Sequence, residues 1–136
     1  VSLTLCSQTT ATQNKEPAQL EPCPGSPNCV SSLAEDSRHR IEPFSISGSA
    51  EETLGRLRRV IGTFPRTRVL FQGSRYLKTE FKTALGFIDI VEFLVDENEG
   101  RVHVRSASRE GYWDLGVNRR RVENIRRVYQ EGIKTK

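Results

Sequence analysis

Residues 67–108 hold four runs patterned like strands, and the links between them are short: Gly73-Ser74, Ala84-Leu85-Gly86 and Glu97-Asn98-Glu99-Gly100. Links of that length join antiparallel neighbours, because a parallel crossover needs about a dozen residues or more. The pattern predicts strands at 67–72, 76–83, 87–96 and 101–108. In the third, Phe87, Val91, Phe93 and Val95 share one parity and Ile88, Ile90 and Leu94 the other, so this strand is expected to be the most buried.

Amphipathic helices flank the strands. Ser49 and Glu52 form a capping box, Leu54, Leu57, Val60, Ile61 and Phe64 recur at helical spacing, and Gly62 with Pro65 marks the stop, which predicts a helix over 50–61. A second helix is expected to start with Asn118 as N-cap, to turn Val122, Ile125, Val128 and Tyr129 inward, and to end near Gly132. Alternation of Phe44 and Ile46 within 41–47 suggests a short edge strand. The fold expected is α+β, an antiparallel four- to five-stranded meander with two helices packed on one face, in the order α-β-β-β-β-α. One sheet face is then left to solvent, a partner or a ligand.

At 136 residues the chain suits one domain, expected at 22–133, preceded by an export-segment remnant and polar spacer at 1–21 and followed by a tail at 134–136. The start, Val-Ser-Leu-Thr-Leu-Cys-Ser, reads as the end of an apolar export segment. Cys6 is a candidate for lipidation, although Leu5 departs from the small residue usual before such a cysteine; the alternative is a signal-peptide end with an incidental thiol. The expected location is exported, either periplasmic or anchored to the cell envelope, with the thylakoid lumen or membrane as the plastid or cyanobacterial equivalent.

Net charge is +4, and the excess is C-terminal: from Arg101 onward ten basic residues face four acidic ones. Three arginines, Arg119, Arg120 and Arg121, follow Asn118 directly. The first turn of a helix already carries partial positive charge, so arginines there cost stability unless something negative sits close. That could be Asp114 and Glu110, which would make the cluster structural, or a bound anion, which would make it functional. Arg109, Trp113, Asp114, Asn118, Arg119, Arg120 and Arg121 are therefore the candidate ligand-binding residues, since a fork of arginines, a helix start and an aromatic ring are what anion recognition uses. The bland alternative pairs Asp114 with Arg119 or Arg120 and lays Trp113 over the edge of the core. Nucleic acid is disfavoured as a partner, because Val122, Ile125 and Val128 commit one helix face to the core.

Cys23 and Cys29 lie in a Pro/Gly-rich turn at a spacing that suits a disulfide; free thiols and a metal site are the alternatives. A metal would have to draw on Cys23, Cys29, His39 and His103, whose spacings are unlike the usual close ligand pairs, so neither metal nor cofactor is expected. His103 shares a strand face with Arg101 and Arg105, which could extend the arginine surface. Asp89 and Glu92 fall on opposite parities, which suits partners for basic side chains better than an acid–base pair.

The stretches Cys-Pro-Gly-Ser-Pro-Asn-Cys-Val-Ser-Ser at 23–32 and Ser-Arg-Glu-Gly-Tyr-Trp-Asp-Leu-Gly-Val-Asn-Arg-Arg-Arg-Val-Glu at 108–123 resemble the two signatures of the bacterial and plastid family called domain of unknown function 1499. By that resemblance Cys23, Ser26, Pro27, Asn28, Cys29, Ser31 and Ser32 belong to the first signature, and Arg109, Gly111, Asp114, Gly116, Asn118 and Arg119 to the second. The resemblance implies an exported, lipid-anchored or membrane-associated protein in which the two segments meet, and it carries over no reaction and no catalytic residue. The functional expectation is a non-enzymatic accessory or binding domain that takes an anionic small molecule or an acidic envelope protein, with membrane association through the N-terminus. An enzyme using the same pocket, with Asp114 as acid or base, and a structural envelope protein docking through its open sheet face are the alternatives.

Overall fold

The computed structural model describes residues 16–134. Expectations placed on residues 1–15, Cys6 among them, and on 135–136 lie outside the described residues. The elements run β1 (Cys29–Ser31), β2 (Phe44–Ser45), α1 (Ala50–Ile61), β3 (Thr67–Gln72), β4 (Tyr76–Lys82), β5 (Ile88–Asp96), β6 (Arg101–Ser108) and α2 (Val117–Lys134). Strands β3 to β6 form the antiparallel meander that the short links require. β1 and β2 both pair with β6, through Cys29↔Ala107 and Phe44↔Val102, making a six-stranded α+β sheet. They cover what would otherwise be an open edge of hydrogen-bonding groups. β1 was not foreseen: its three residues, beyond the last proline of a turn-rich segment, are too few to display a period.

Apolar residues alternate along the strands, so one face collects Leu77, Phe81, Val91, Phe93, Val95, Val102 and Val104 beneath both helices. α1 contributes Leu54, Leu57, Val60 and Ile61, and α2 contributes Val122, Ile125 and Tyr129. Phe44 lies between the layers, with its ring centroid 5.7 Å from Phe93 and 5.5 Å from Tyr129. Burying side chains of this size stabilises the fold by about 1.5–3 kcal/mol each. The Tyr129 hydroxyl, buried at the same layer, donates to the Ser45 carbonyl at 2.7 Å. The capping box of α1 forms as expected, Ser49 Oγ accepting from the Glu52 N–H at 3.1 Å and Glu52 Oε1 accepting from the Ser49 N–H at 3.2 Å.

Three local expectations are corrected. Phe87 precedes β5 and is 57 % exposed; on the inward parity it is Asp89 that is buried with Val91, Phe93 and Val95. α2 begins at Val117, and Asn118 is its second residue, fully buried, because the Asp114 carboxylate takes over the capping role. The helix also runs through Gly132 to Lys134. That glycine serves a close approach, since a Cβ there would stand 2.8 Å from an Arg56 guanidinium nitrogen.

The opposite sheet face is partly covered. Leu20, from the segment leading into the domain, packs with Tyr76 and Leu94, and with Leu33 and Phe71 beside them. On the remainder, charged side chains surround Leu70 and Ile90, with Arg68 paired to Glu80 at 2.9 Å and Arg105 to Glu92 at 3.5 Å. Glu92 thus partners a basic side chain as its strand position suggested, whereas Arg105, a candidate to extend the arginine surface, is largely buried against it.

Candidate functional site

The two motif segments meet at the end of β6. The Ser108 N–H donates to the Asn28 carbonyl at 2.9 Å, and Asn28 Nδ2 donates to the Gly111 carbonyl at 2.7 Å. Asn118 binds them together from the first turn of α2. Its Nδ2 donates to Asp114 Oδ2 at 2.9 Å, Ser108 Oγ at 2.8 Å and the Asn28 carbonyl at 3.3 Å, and its Oδ1 accepts from Ser106 Oγ at 2.6 Å. A buried carboxamide satisfied at both ends specifies one geometry, whereas the same group unsatisfied would cost about 1–3 kcal/mol.

Asp114 accepts from the Gly116 N–H at 2.8 Å and the Asn118 N–H at 3.1 Å, supplying the negative charge that the start of α2 requires. It pairs with neither Arg119 nor Arg120. Partial burial pushes its carboxyl upward, but the hydrogen bonds from the Asn118 side chain and from the backbone N–H groups of Asn118 and Gly116 outweigh that and hold it below the usual carboxylate range. A carboxylate so held stays ionised at neutral pH and is poorly suited to donate a proton.

The arginines do not converge. Arg119 donates to the carbonyls of Arg40 at 2.8 Å and Arg38 at 3.0 Å, and Arg120 to that of Leu115 at 2.8 Å. Arg121 turns inward to Asp89 at 2.7 Å and to Asn118 Oδ1 at 3.2 Å, with its guanidinium 5.1 Å from the Phe81 ring centroid. Further along α2, Arg126 donates to the carbonyls of Pro43 at 2.9 Å and Glu42 at 2.6 Å. Arg119 and Arg126 thus satisfy carbonyls of the irregular 38–43 segment, a pairing without a local sequence signal because donor and acceptor lie about 80 residues apart. Arg109 differs: it is exposed, and its side chain makes no hydrogen bond or ion pair among the described residues.

Between the pinned ends, the loop at 109–116 carries its apolar side chains outward. Tyr112 is 54 %, Trp113 71 % and Leu115 84 % exposed, the two rings meeting edge to face at 5.2 Å. Trp113 therefore does not cover the core edge. Leu115 adopts φ 55°, a left-handed conformation uncommon for a residue other than glycine, and Gly116 follows at φ 77°.

Cys23 and Cys29 are joined, with their sulfurs 2.09 Å apart and Cα atoms 5.7 Å apart, which removes both thiols from any metal or nucleophile role. His39 is engaged at both ring nitrogens, Nδ1 with Asp36 at 2.6 Å and Nε2 with the Ser26 carbonyl at 2.9 Å. His103 Nδ1 lies 3.1 Å from Ser32 Oγ, and its ring comes within 4.8 Å of the carboxylates of Asp96 and Glu99 at the β5–β6 turn. Arg101 already stands 3.5 Å from Glu99, and the Asp96 carboxylate accepts from the Glu99 N–H at 3.1 Å, so local partners account for this acidic pair.

Comparison with curated proteins returns no match, and comparison with solved structures returns none. Residues 19–128 match the sequence profile described as Protein of unknown function (DUF1499), a span that takes in β1 to β6, most of α2 and the joined network of Asn28, Asp114 and Asn118. The chain belongs to that family.

Proposed function

We propose that this chain is an accessory or binding domain rather than an enzyme, exported or held at an envelope membrane, and that it meets an acidic ligand or partner through the loop at 109–116 and the cations beside it. The observation that carries this reading is the outward display of Tyr112, Trp113 and Leu115 on a loop whose base is locked by buried bonds among Asn28, Asp114 and Asn118. Apolar rings held in water gain free energy when covered, and a base already ordered loses little further entropy on binding. Exposed Arg109 supplies the charge, with Arg120 at the helix start. The enzymatic alternative with Asp114 as a proton donor is favoured less, because its carboxyl is held low and its oxygens accept from the Gly116 and Asn118 N–H groups. Docking through the open sheet face is favoured less, because the ion pairs Arg68–Glu80 and Arg105–Glu92 break up the apolar surface that Leu70 and Ile90 offer there. The Cys23–Cys29 bridge supports an oxidising, exported setting.

Trp113 is the only tryptophan, so its emission reports on this loop directly. The test is titration of the full chain with inorganic phosphate, phosphorylated metabolites, acidic sugars, polyglutamate and anionic lipid vesicles. A salt-sensitive change in Trp113 emission that is lost in Arg109→Gln is expected for at least one probe. Silence across the whole panel would contradict the reading.

A further inference from the structure

Five of the seven large hydrophobic side chains exposed among the described residues lie at one end of the sheet. Leu85 (86 %) and Phe87 (57 %) occupy the β4–β5 turn, and Tyr112, Trp113 and Leu115 the β6–α2 loop. The ladder brings these two connections together: Asp89 pairs with Ser108, and the Arg109 N–H donates to the Ile88 carbonyl at 2.9 Å. Beside the β4–β5 turn, a groove of about 380 Å³ runs between the α1–β3 link, the end of β4 and the start of α2, and its walls include Arg66, Lys82, Ala84 and Arg120. Arg66, Lys82, Arg109 and Arg120 are exposed around this end, whereas Glu110 is the exposed acid, the Asp114 carboxylate being turned onto the helix N–H groups and Asp89 buried against Arg121.

We propose that this end of the molecule seats in the interfacial layer of an anionic lipid bilayer, with Leu85, Phe87, Trp113 and Leu115 entering the headgroup–acyl boundary and the groove cations meeting lipid phosphates. The proposal rests on the binding-domain reading above and names its partner class. Tryptophan and tyrosine prefer that boundary because their rings are apolar at one end and polar at the other. Leucine and phenylalanine add buried area, and cations beside them add attraction to anionic headgroups. The interleaving of cations with apolar tips on two separate loops favours a bilayer over a protein partner, which would bury a contiguous apolar centre ringed by polar groups. Glu16, where the described residues start, lies at the opposite end of the sheet, its carboxylate accepting from Ser74 Oγ at 2.9 Å.

The test uses the full chain carrying Cys6→Ser, so that acylation cannot contribute, with vesicles rich in phosphatidylglycerol and with vesicles of phosphatidylcholine alone. Trp113 emission should move to shorter wavelength and become shielded from acrylamide on the anionic vesicles only, with co-sedimentation that weakens as salt rises. Leu85→Asp and Leu115→Asp, made separately, should each reduce vesicle affinity by about tenfold or more while leaving the melting temperature unchanged. Co-sedimentation unaffected by both substitutions would overturn the proposal. So would a response to soluble polyglutamate with none to vesicles, which would point to an acidic protein. A Trp113 that acrylamide quenches freely, with and without vesicles, would remove the bilayer as partner and leave the exposed recognition loop standing. A Trp113 already shielded in the free protein would remove that loop reading as well.

Discussion

Within the segment 108–118, polar and apolar side chains have exchanged their usual places. Ser108, Asp114 and Asn118 turn inward and are bonded to one another and to Asn28, while Tyr112, Trp113 and Leu115 stand in solvent. The usual expectation would assign the function to the polar set and the packing to the aromatic set. The hydrogen-bond accounting points the other way. Every polar atom of the Asn118 side chain is engaged within the protein, so its removal should be felt as lost stability, whereas Trp113 stands mostly in solvent with its ring against Tyr112 and its removal should not be.

The largest effect that would sharpen this contrast is expected at the buried ion pair beneath the network. Asp89→Ala would strand the Arg121 guanidinium in a site where it is 11 % exposed, and should destabilise the protein by about 3–5 kcal/mol, read from urea unfolding. Next comes the loop that delivers Asn28. Replacing Cys23 and Cys29 by serine should cost about 2 kcal/mol, because the closed loop is short. Asp114→Asn should cost about 1 kcal/mol at neutral pH, because one of the two accepting oxygens becomes an amino group that faces N–H donors and the negative charge is lost, and the difference should depend on pH. The Asp114 carboxyl is held below its unfolded value near about 3.9, so its contribution is present above that pH and is lost as the pH falls through the lower folded value. The parent and Asp114→Asn should therefore differ at pH 7 and converge below about pH 3.9 in unfolding titrations. A difference that grew on acidification would show that the charge is not the stabilising element. The smallest effect belongs to the outer half of the contrast: Arg109→Gln should change stability by less than about 0.5 kcal/mol, since its side chain has no partner to lose.

The meander and both helices were legible because short turns and apolar periodicity are local signals. The Ser49–Glu52 box and the alternation of Val91, Phe93 and Val95 needed no knowledge of distant residues. β1 was hidden because Cys29, Val30 and Ser31 are strand only by virtue of β6. At the site, the two motif segments were expected to meet and do so through Asn28. The run of Arg119, Arg120 and Arg121 suggested a shared anion, but successive helix positions lie about 100° apart and point different ways. Their partners are the carbonyls of Arg38, Arg40 and Leu115, the carboxylate of Asp89 and the side-chain oxygen of Asn118, of which Leu115 and Asn118 alone are near in sequence. Asn118 looked like a cap for the same reason: a residue type suited to capping preceded a helix, and nothing local revealed that Asp114 would reach past it.

The most direct measurement is equilibrium urea unfolding of Asn118→Ala and Trp113→Ser beside the parent chain. The inverted arrangement predicts a loss of about 1–3 kcal/mol for the Asn118 variant, which leaves the Ser106 and Ser108 hydroxyls without their partner and takes one of three donors from Asp114, and a change under about 0.5 kcal/mol for the Trp113 variant. Equal losses, or a larger loss at Trp113, would mean that the exposed ring is part of the packed structure and would contradict the account.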